Sequence, residues 1–379
     1  MSAFKAASIE VAGPYKNGTV VEAAKSIRER LGGAAGIAFA FLSANYTPHI
    51  EEFCETMRVD GHIVDVVGCT AGGRIEGAQE FEGTSGFSIL AIHGHTGEPV
   101  ALDESGTLPI NSPWKSKKPN AWIAMANPFS FPIEDWLEHW NASFPGIHTV
   151  GGLASGGGQE DTMVFINGKS VDAVAVPICG NMGILPVLSQ GCRPIGEPLT
   201  VTRADHNVIY ALGGQDAYRV LETAFESLTD SEKSHARGNL FAGLAGSEYL
   251  EDFQSGDFLI KNILGADPNS GAVVIAGIPR VGQTLQYQIC DREVALADLE
   301  RAFEAISDKR DRAFGSLLFS CLGRGEKFFG TKHRDASSLL EAVGDKPCAG
   351  FFCNGEIAPV RGLIALHGNT AAAAILIEQ

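Results

Sequence analysis

The chain has 379 residues, of which 45% are hydrophobic, and a formal net charge of −16. That length exceeds one ordinary core and predicts two domains, while the apolar fraction excludes a disordered chain. The acidity argues against nucleic acid as a partner, because phosphate binding needs clustered Lys and Arg, and no basic run is longer than Lys115-Ser116-Lys117-Lys118.

The opening Met1-Ser2-Ala3-Phe4-Lys5-Ala6 lacks the apolar stretch of a signal peptide. The most apolar segment, 171–188, is broken by Asp172, Pro177, Gly180, Gly183 and Pro186, which a membrane span of ~20 residues does not tolerate. Eight cysteines occur without a C-x-x-C pair, the usage of free thiols in a reducing compartment. A cytoplasmic protein with no membrane partner is expected.

Along the chain, Val20, Ala24, Ile27 and Leu31 recur at helical spacing. After the apolar run 37–42, Thr47-Pro48 supplies an N-cap and a first-turn proline for a helix carrying Ile50, Phe53, Cys54 and Met57. The run 63–67 ends in the bend Gly68-Cys69-Thr70-Ala71-Gly72-Gly73-Arg74-Ile75. Runs 87–92 and 121–125 precede a helix of Ile133, Trp136, Leu137 and Trp140, and 147–150 enters a second bend, Val150-Gly151-Gly152-Leu153-Ala154-Ser155-Gly156-Gly157. Later stripes, Ala217/Leu221/Ala224/Phe225/Leu228 and Leu296/Leu299/Phe303/Ile306, alternate with runs at 258–264, 272–278, 285–289, 317–320, 348–352 and 371–377. Many runs are apolar almost without alternation, as strands covered on both faces are. The expected fold is α/β (mixed α+β), in two similar lobes of repeated strand–helix–strand units with glycine-rich turns.

Glycine is over-used: 45 residues, about 12% against the usual ~7%. The first bend aligns without a gap on Gly350-Phe351-Phe352-Cys353-Asn354-Gly355-Glu356-Ile357, and the second carries glycines at the same separation. Three such bends imply duplicated units. Interruptions at Pro194, Pro198 and Gly213-Gly214 place a division near 191–214: a helical lead-in at 1–32, an N-terminal lobe at 33–205 and a C-terminal lobe at 206–379.

The first bend superficially resembles a phosphate-binding loop, but Arg74-Ile75 stand where Lys and Ser/Thr are required, and Gly168-Lys169-Ser170 lacks the upstream glycine. Glycine bends can still free backbone amides to cradle a carboxylate while side chains converge on a crevice. Cys69, Thr70, Arg74, Ser155, Asn354 and Glu356 are the candidate lining; the alternative is that the glycines only let strands turn and pack. Cys69, Cys321 and Cys353 beside glycines could serve as nucleophiles, yet no His or Asp stands near them in sequence, and cysteine is also a small core residue. His93-Gly94-His95 reads as a strand-end turn in preference to a metal pair, and His49, His206, His333 and His367 are isolated.

Val66-Val67-Gly68-Cys69-Thr70-Ala71-Gly72-Gly73, then Gly151 to Gly157 with Val164-Phe165-Ile166-Asn167-Gly168 following, resemble the N-terminal region of the FIST family. Val201-Thr202-Arg203-Ala204, Asp257-Phe258-Leu259-Ile260-Lys261-Asn262, Ser320-Cys321-Leu322-Gly323-Arg324-Gly325, Gly350 to Val360 and Leu366-His367-Gly368-Asn369-Thr370 resemble its C-terminal region. The resemblance runs from about residue 33 to the end. It implies a sensory module for a small ligand, an amino acid or small carboxylate, with one branch of the family associated with haem and nitric oxide. No cofactor is required by the residues. The ligand would sit on bend amides with Arg324, Thr70, Ser155, Asn354 and Glu356, and Arg74 would face an acidic group.

Three positions depart from the family pattern: Arg74 replaces the acid that Glu356 keeps, Lys261 stands for arginine, and Cys290-Asp291 stands for Arg-Asp. Arg and Lys are not interchangeable at a carboxylate, so the ligand differs from the family norm. The rival readings are a cysteine-dependent hydrolase or transferase, a haem-based nitric oxide sensor, and a scaffold or assembly subunit. Signalling would require a separate partner protein, and homo-oligomerisation stays open.

Overall fold

The computed structural model describes residues 4–94, 96–103, 107–109, 111–115, 117–236, 239–246 and 258–379. His95, Ser116, Asp257 and residues 1–3, named in the sequence readings, lie outside them. Helix makes up 26% and strand 43%, a mixed α/β protein. The chain divides into two compact units, one of Met1–Leu188, Glu300–Leu366 and Thr370–Gln379, the other of Ser189–Leu299 and His367–Asn369. No helix among the described residues is long and apolar enough to cross a membrane.

The first unit contains all three glycine bends, and each belongs to one copy of the same element order. In the first copy, strand Ala35–Leu42, helix Ile50–Asp60 and parallel strand Ile63–Thr70 are followed by a hairpin, Gly73–Glu76 with Gln79–Glu82, and a returning strand, Gly86–His93. The second copy runs Ala121–Ala126, Ile133–Ser143, His148–Leu153, hairpin Val164–Ile166 with Lys169–Val171, and Ala173–Ile178. The third runs Ala313–Cys321, Arg334–Val343, Cys348–Cys353, hairpin Glu356–Val360 with Leu363–His367, and Ala371–Glu378. In every copy the returning strand lies antiparallel beside the first strand.

The hairpins are handed around. The first copy's hairpin pairs with strand Cys348–Cys353 of the third, the third copy's with His148–Leu153 of the second, and the second copy's with Ile63–Thr70 of the first. Each glycine bend is where the chain leaves its own six-stranded sheet for a neighbour's, so the relation is a cyclic, quasi-threefold one.

One glycine in each copy has a steric cause. A Cβ at Gly68, Gly151 or Gly350 would lie 1.8, 1.7 or 1.9 Å from the carbonyl oxygen of Ala40, Ala124 or Leu318. Those residues are the parallel-strand register partners of the three glycines. Only a residue without a side chain permits that approach.

The three sheets share a core: Ile37, Phe39, Phe41 and Val67 from one, Ile123, Met125, Val150 and Val176 from the next, Leu317, Phe319, Phe351 and Leu376 from the third. Intervening residues face the outer helices; Ala38, Ala40 and Leu42 pack with Ile27, Phe53 and Met57. Burial on both faces is why these strands lack polar alternation. Helix Ile133–Ser143 follows Pro132, carries Glu134 and Asp135 in its first turn, and buries Trp136, Leu137 and Trp140.

The second unit enters the chain between strand Met182–Ser189 and strand Ala313–Cys321, after the second copy and ahead of the third copy's first strand. Six antiparallel strands, Thr284–Cys290, Leu199–Asp205, Val208–Leu212, Ala272–Ile275, Phe258–Asp267 and Leu240–Ala245, close into a barrel through pairing of the last with the first. Val201, Ile209, Leu244, Val273 and Leu285 fill it, with Leu221 and Ala224 of helix Ala217–Glu226.

Cys192 and Cys290 are bonded, which corrects the expectation of eight free thiols; Cys54, Cys69, Cys179, Cys321, Cys348 and Cys353 are not in disulfides. The two sulfurs meet because strand pairing sets Cys192 opposite Cys290, a register that sequence spacing does not reveal.

Candidate functional site

The three bends meet and are knitted together by hydrogen bonds. Ser155 donates its N–H to the Thr70 carbonyl (3.1 Å), and Gly72 donates to Ser155 Oγ (3.1 Å), which itself donates to the Phe352 carbonyl. Asn354 donates its backbone N–H to the Leu153 carbonyl (3.0 Å), while Leu153 donates to Gly355 (2.8 Å). Leu322, leaving strand Ala313–Cys321, donates to the Cys353 carbonyl (2.9 Å). Thr70 Oγ1 donates to the Asp161 carbonyl (2.8 Å) and accepts from the Met163 amide (2.9 Å).

These contacts bring Thr70, Ser155 and Asn354 together. They also correct the idea of a nest of unengaged amides: the Leu153, Ser155 and Asn354 amides satisfy carbonyls of a neighbouring bend, and the Gly72 and Ala71 amides the Ser155 hydroxyl and the Leu42 carbonyl. Thr70 and Ser155 are buried; Asn354 is exposed, with its Nδ2 donating to the Ala154 carbonyl (2.9 Å).

Beneath the third bend lies a buried ionic cluster. Arg324 donates from Nε to Asp335 Oδ2 (2.7 Å) and from Nη2 to Oδ1 (2.8 Å), a two-point pairing, and Ser320 Oγ donates to the same Oδ2 (2.7 Å). The guanidinium also sits 5.0 Å from the Phe329 ring centroid. Glu356 is fully buried; its Oε2 accepts from the Thr370 hydroxyl (2.8 Å) and amide (3.2 Å), while Oε1 has no hydrogen-bond partner. Burial pushes the Glu356 carboxyl up to about 8, against the opposing pull of Thr370, Arg324 and the Cys321 thiol. It is therefore a neutral acid near pH 7. Glu80, on the hairpin donated by the first copy, accepts the Ala336 amide on Oε1 (3.0 Å) and is raised to about 7 by burial and by Asp335.

Arg74 belongs to a different neighbourhood. It is buried, pairs with Glu10 (3.2 Å), and donates to Thr84 and to the Ser85 carbonyl. Its alignment with Glu356 keeps a structural meaning, since both side chains reach back to the loop before the returning strand of their own copy. Cys69 and Cys353 are fully buried, and burial pushes both thiols well above their ordinary value, the reverse of what a nucleophile needs. Cys321 is half-buried at the bend, and the exposed Leu322 and Gly323 follow it.

A haem would need an imidazole facing an apolar cleft. His49 instead stacks on Tyr15 (4.1 Å), His333 Nδ1 accepts the Glu80 amide (2.9 Å), and His206 is exposed beside Asp205 (2.9 Å), so these three do not fit that role. Among the described residues no three His, Cys, Asp or Glu side chains gather as a metal site.

Asp335, Ser320, Thr370 and Glu80 complete the cluster and were missed as site residues. The one local signal was an acid, Asp335, in the first turn of a helix.

Comparison with known proteins matches residues 36–215 to the FIST N domain and 217–359 to the FIST C domain. An uncharacterized protein of Mycobacterium tuberculosis is 36% identical over 367 residues, 94% of this chain and 95% of the relative. An uncharacterized protein of Mycobacterium bovis is 35% identical over 377 residues, 97% of each chain. The ordered bends, the handed-around hairpins and these matches along nearly the whole chain lead to one conclusion: this protein belongs to the FIST family.

Proposed function

We propose that the chain is a sensory domain that binds a small amine-bearing ligand, an amino acid or close relative, at the junction of the three bends, with Glu356 as the receiving group. The observation that carries this reading is the unpartnered Oε1 of a fully buried carboxyl. Native proteins leave such an oxygen bare at a cost unless something supplies the partner. A ligand ammonium would provide both a donor and a counter-charge, and its arrival would drive the proton off Glu356. Cys321 is half-buried, and Leu322, Gly323 and Asn354 are exposed; in this reading the ligand enters past them. In this reading the protein works in the cytoplasm and passes its state to a separate partner.

Isothermal titration of a panel of amino acids in buffers of different ionisation heat tests it. Binding should release a proton, tighten by up to about tenfold per unit as pH rises toward 8, and disappear in Glu356→Gln. Silence across the panel, or binding that ignores both pH and that substitution, would overturn the reading.

A further inference from the structure

The second copy carries a cavity of about 430 Å³ that is separate from the bends. Its floor is Leu108, Trp114, Trp140 and Phe144, each at least nine-tenths buried. The aromatic groups are fixed by their neighbours: Trp140 lies 4.6 Å from Phe144 and 5.0 Å from Trp122, and donates its indole N–H to Thr149 (2.9 Å), while Trp114 packs edge-on to Trp122 at 6.0 Å. A floor held this way is preformed and offers flat π-surface.

The rim has the opposite character. Lys118 and His139 are exposed there, with the hydroxyl-bearing Thr107 and Ser143. Lys118 has no ion-pair partner among the described residues, and Lys117 places its ammonium 5.7 Å from the Trp114 ring centroid. The His139 Nδ1–H is committed to the Asp135 carbonyl (2.7 Å), which aligns the imidazole, so that Nε2 accepts in the neutral ring and donates in the imidazolium. Among the described residues no carboxylate lines the cavity, in a chain whose net charge is −16.

We infer that this cavity is a second ligand site, for a small aromatic carboxylate whose ring lies on Trp114 and Trp140 and whose carboxylate is held by Lys118, with His139 Nε2–H as a second donor when the ring is the imidazolium. An aliphatic acid would satisfy the rim but not the flat floor, and a neutral arene the floor but not the rim. The site does not rest on the Glu356 reading.

The test uses the whole protein and two probes, 4-fluorobenzoate and the neutral 4-fluorobenzyl alcohol, followed by fluorine NMR and by intrinsic fluorescence. Fluorescence is a local reporter because all four tryptophans of the chain, 114, 122, 136 and 140, sit in the cluster that forms this floor. We expect millimolar or tighter 4-fluorobenzoate binding with tryptophan quenching, weakened about tenfold in Lys118→Met and unaltered in Glu356→Gln. The alcohol should bind more weakly and be indifferent to Lys118→Met, an exposed substitution that leaves the fold intact. Absence of binding by either probe, equal benzoate affinity in Lys118→Met, or loss of benzoate binding in Glu356→Gln would each overturn the assignment.

Discussion

Glu356 sits in the fully buried environment that makes a carboxyl sensitive to pH. Its value is about 8 in the folded protein against 4.5 unperturbed. Between those two values the folded state holds one proton more than the unfolded state. Stability is therefore complete below pH 4.5, declines as pH rises, and levels off above about 8, with a slope from this group of about 1.4 kcal/mol per pH unit. Glu80 acts in the same direction up to about 7. Urea unfolding at pH 5, 6.5 and 8 should show this decline in the parent and a flatter profile in Glu356→Gln, and an identical slope in both would contradict the buried acid. The neighbouring pair predicts a different signature. Asp335→Asn leaves Arg324 buried without its counter-charge and should cost about 3–5 kcal/mol; adding Arg324→Met should recover part of that loss, whereas simple additivity would mean the two groups do not interact. Glu356 and Arg324 were both legible in the sequence, because they follow glycines in motifs that stand out. Asp335 and Thr370 were not, since what joins them to the site is the folding of the third copy, not their spacing.

At the level of elements, the glycines divide by what surrounds them. Gly350→Ala would drive a methyl into the Leu318 carbonyl oxygen and Gly68→Ala into that of Ala40. Both obstacles are backbone atoms of a central strand, which cannot rotate away, so each substitution should destabilise by about 3 kcal/mol or more. Gly18→Ala, in helix Asn17–Leu31 with nothing within 4 Å of the added carbon, should be neutral or stabilise by up to about 1 kcal/mol. Thermal unfolding of the three variants checks the contrast, and a mild Gly350→Ala would mean that the strands can part. The equal spacing of glycines revealed the copies because the same steric demand recurs in each. It could not show that every hairpin joins a different copy's sheet. A hairpin pairs with itself in the same way wherever it docks. The helices were legible for the opposite reason: their stripes and first-turn residues are set locally.

At the scale of the molecule, the closed barrel is inserted between the second and third copies instead of following them, so the three-copy unit is split in the sequence. A composition shift near 191–214 marks only the first crossing; the return, after residue 299, falls within the stripe Leu296/Leu299/Phe303 and leaves no punctuation. The bond between Cys192 and Cys290 spans a sequence separation of 98 and joins the entry strand of the inserted unit to its last barrel strand. Closing a loop of ~100 residues in the unfolded chain removes entropy equivalent to about 4.7 kcal/mol. The effect should fall on the unit that contains both sulfurs. The Cys192→Ala/Cys290→Ala variant, compared with the oxidised parent by hydrogen exchange, should lose protection first in Thr284–Cys290 and Leu240–Ala245. Strand Ile63–Thr70, which lies in the other unit, should retain its protection. Equal loss in both places would show that the inserted barrel and the three-copy unit unfold as one cooperative body, divided in packing but not in stability.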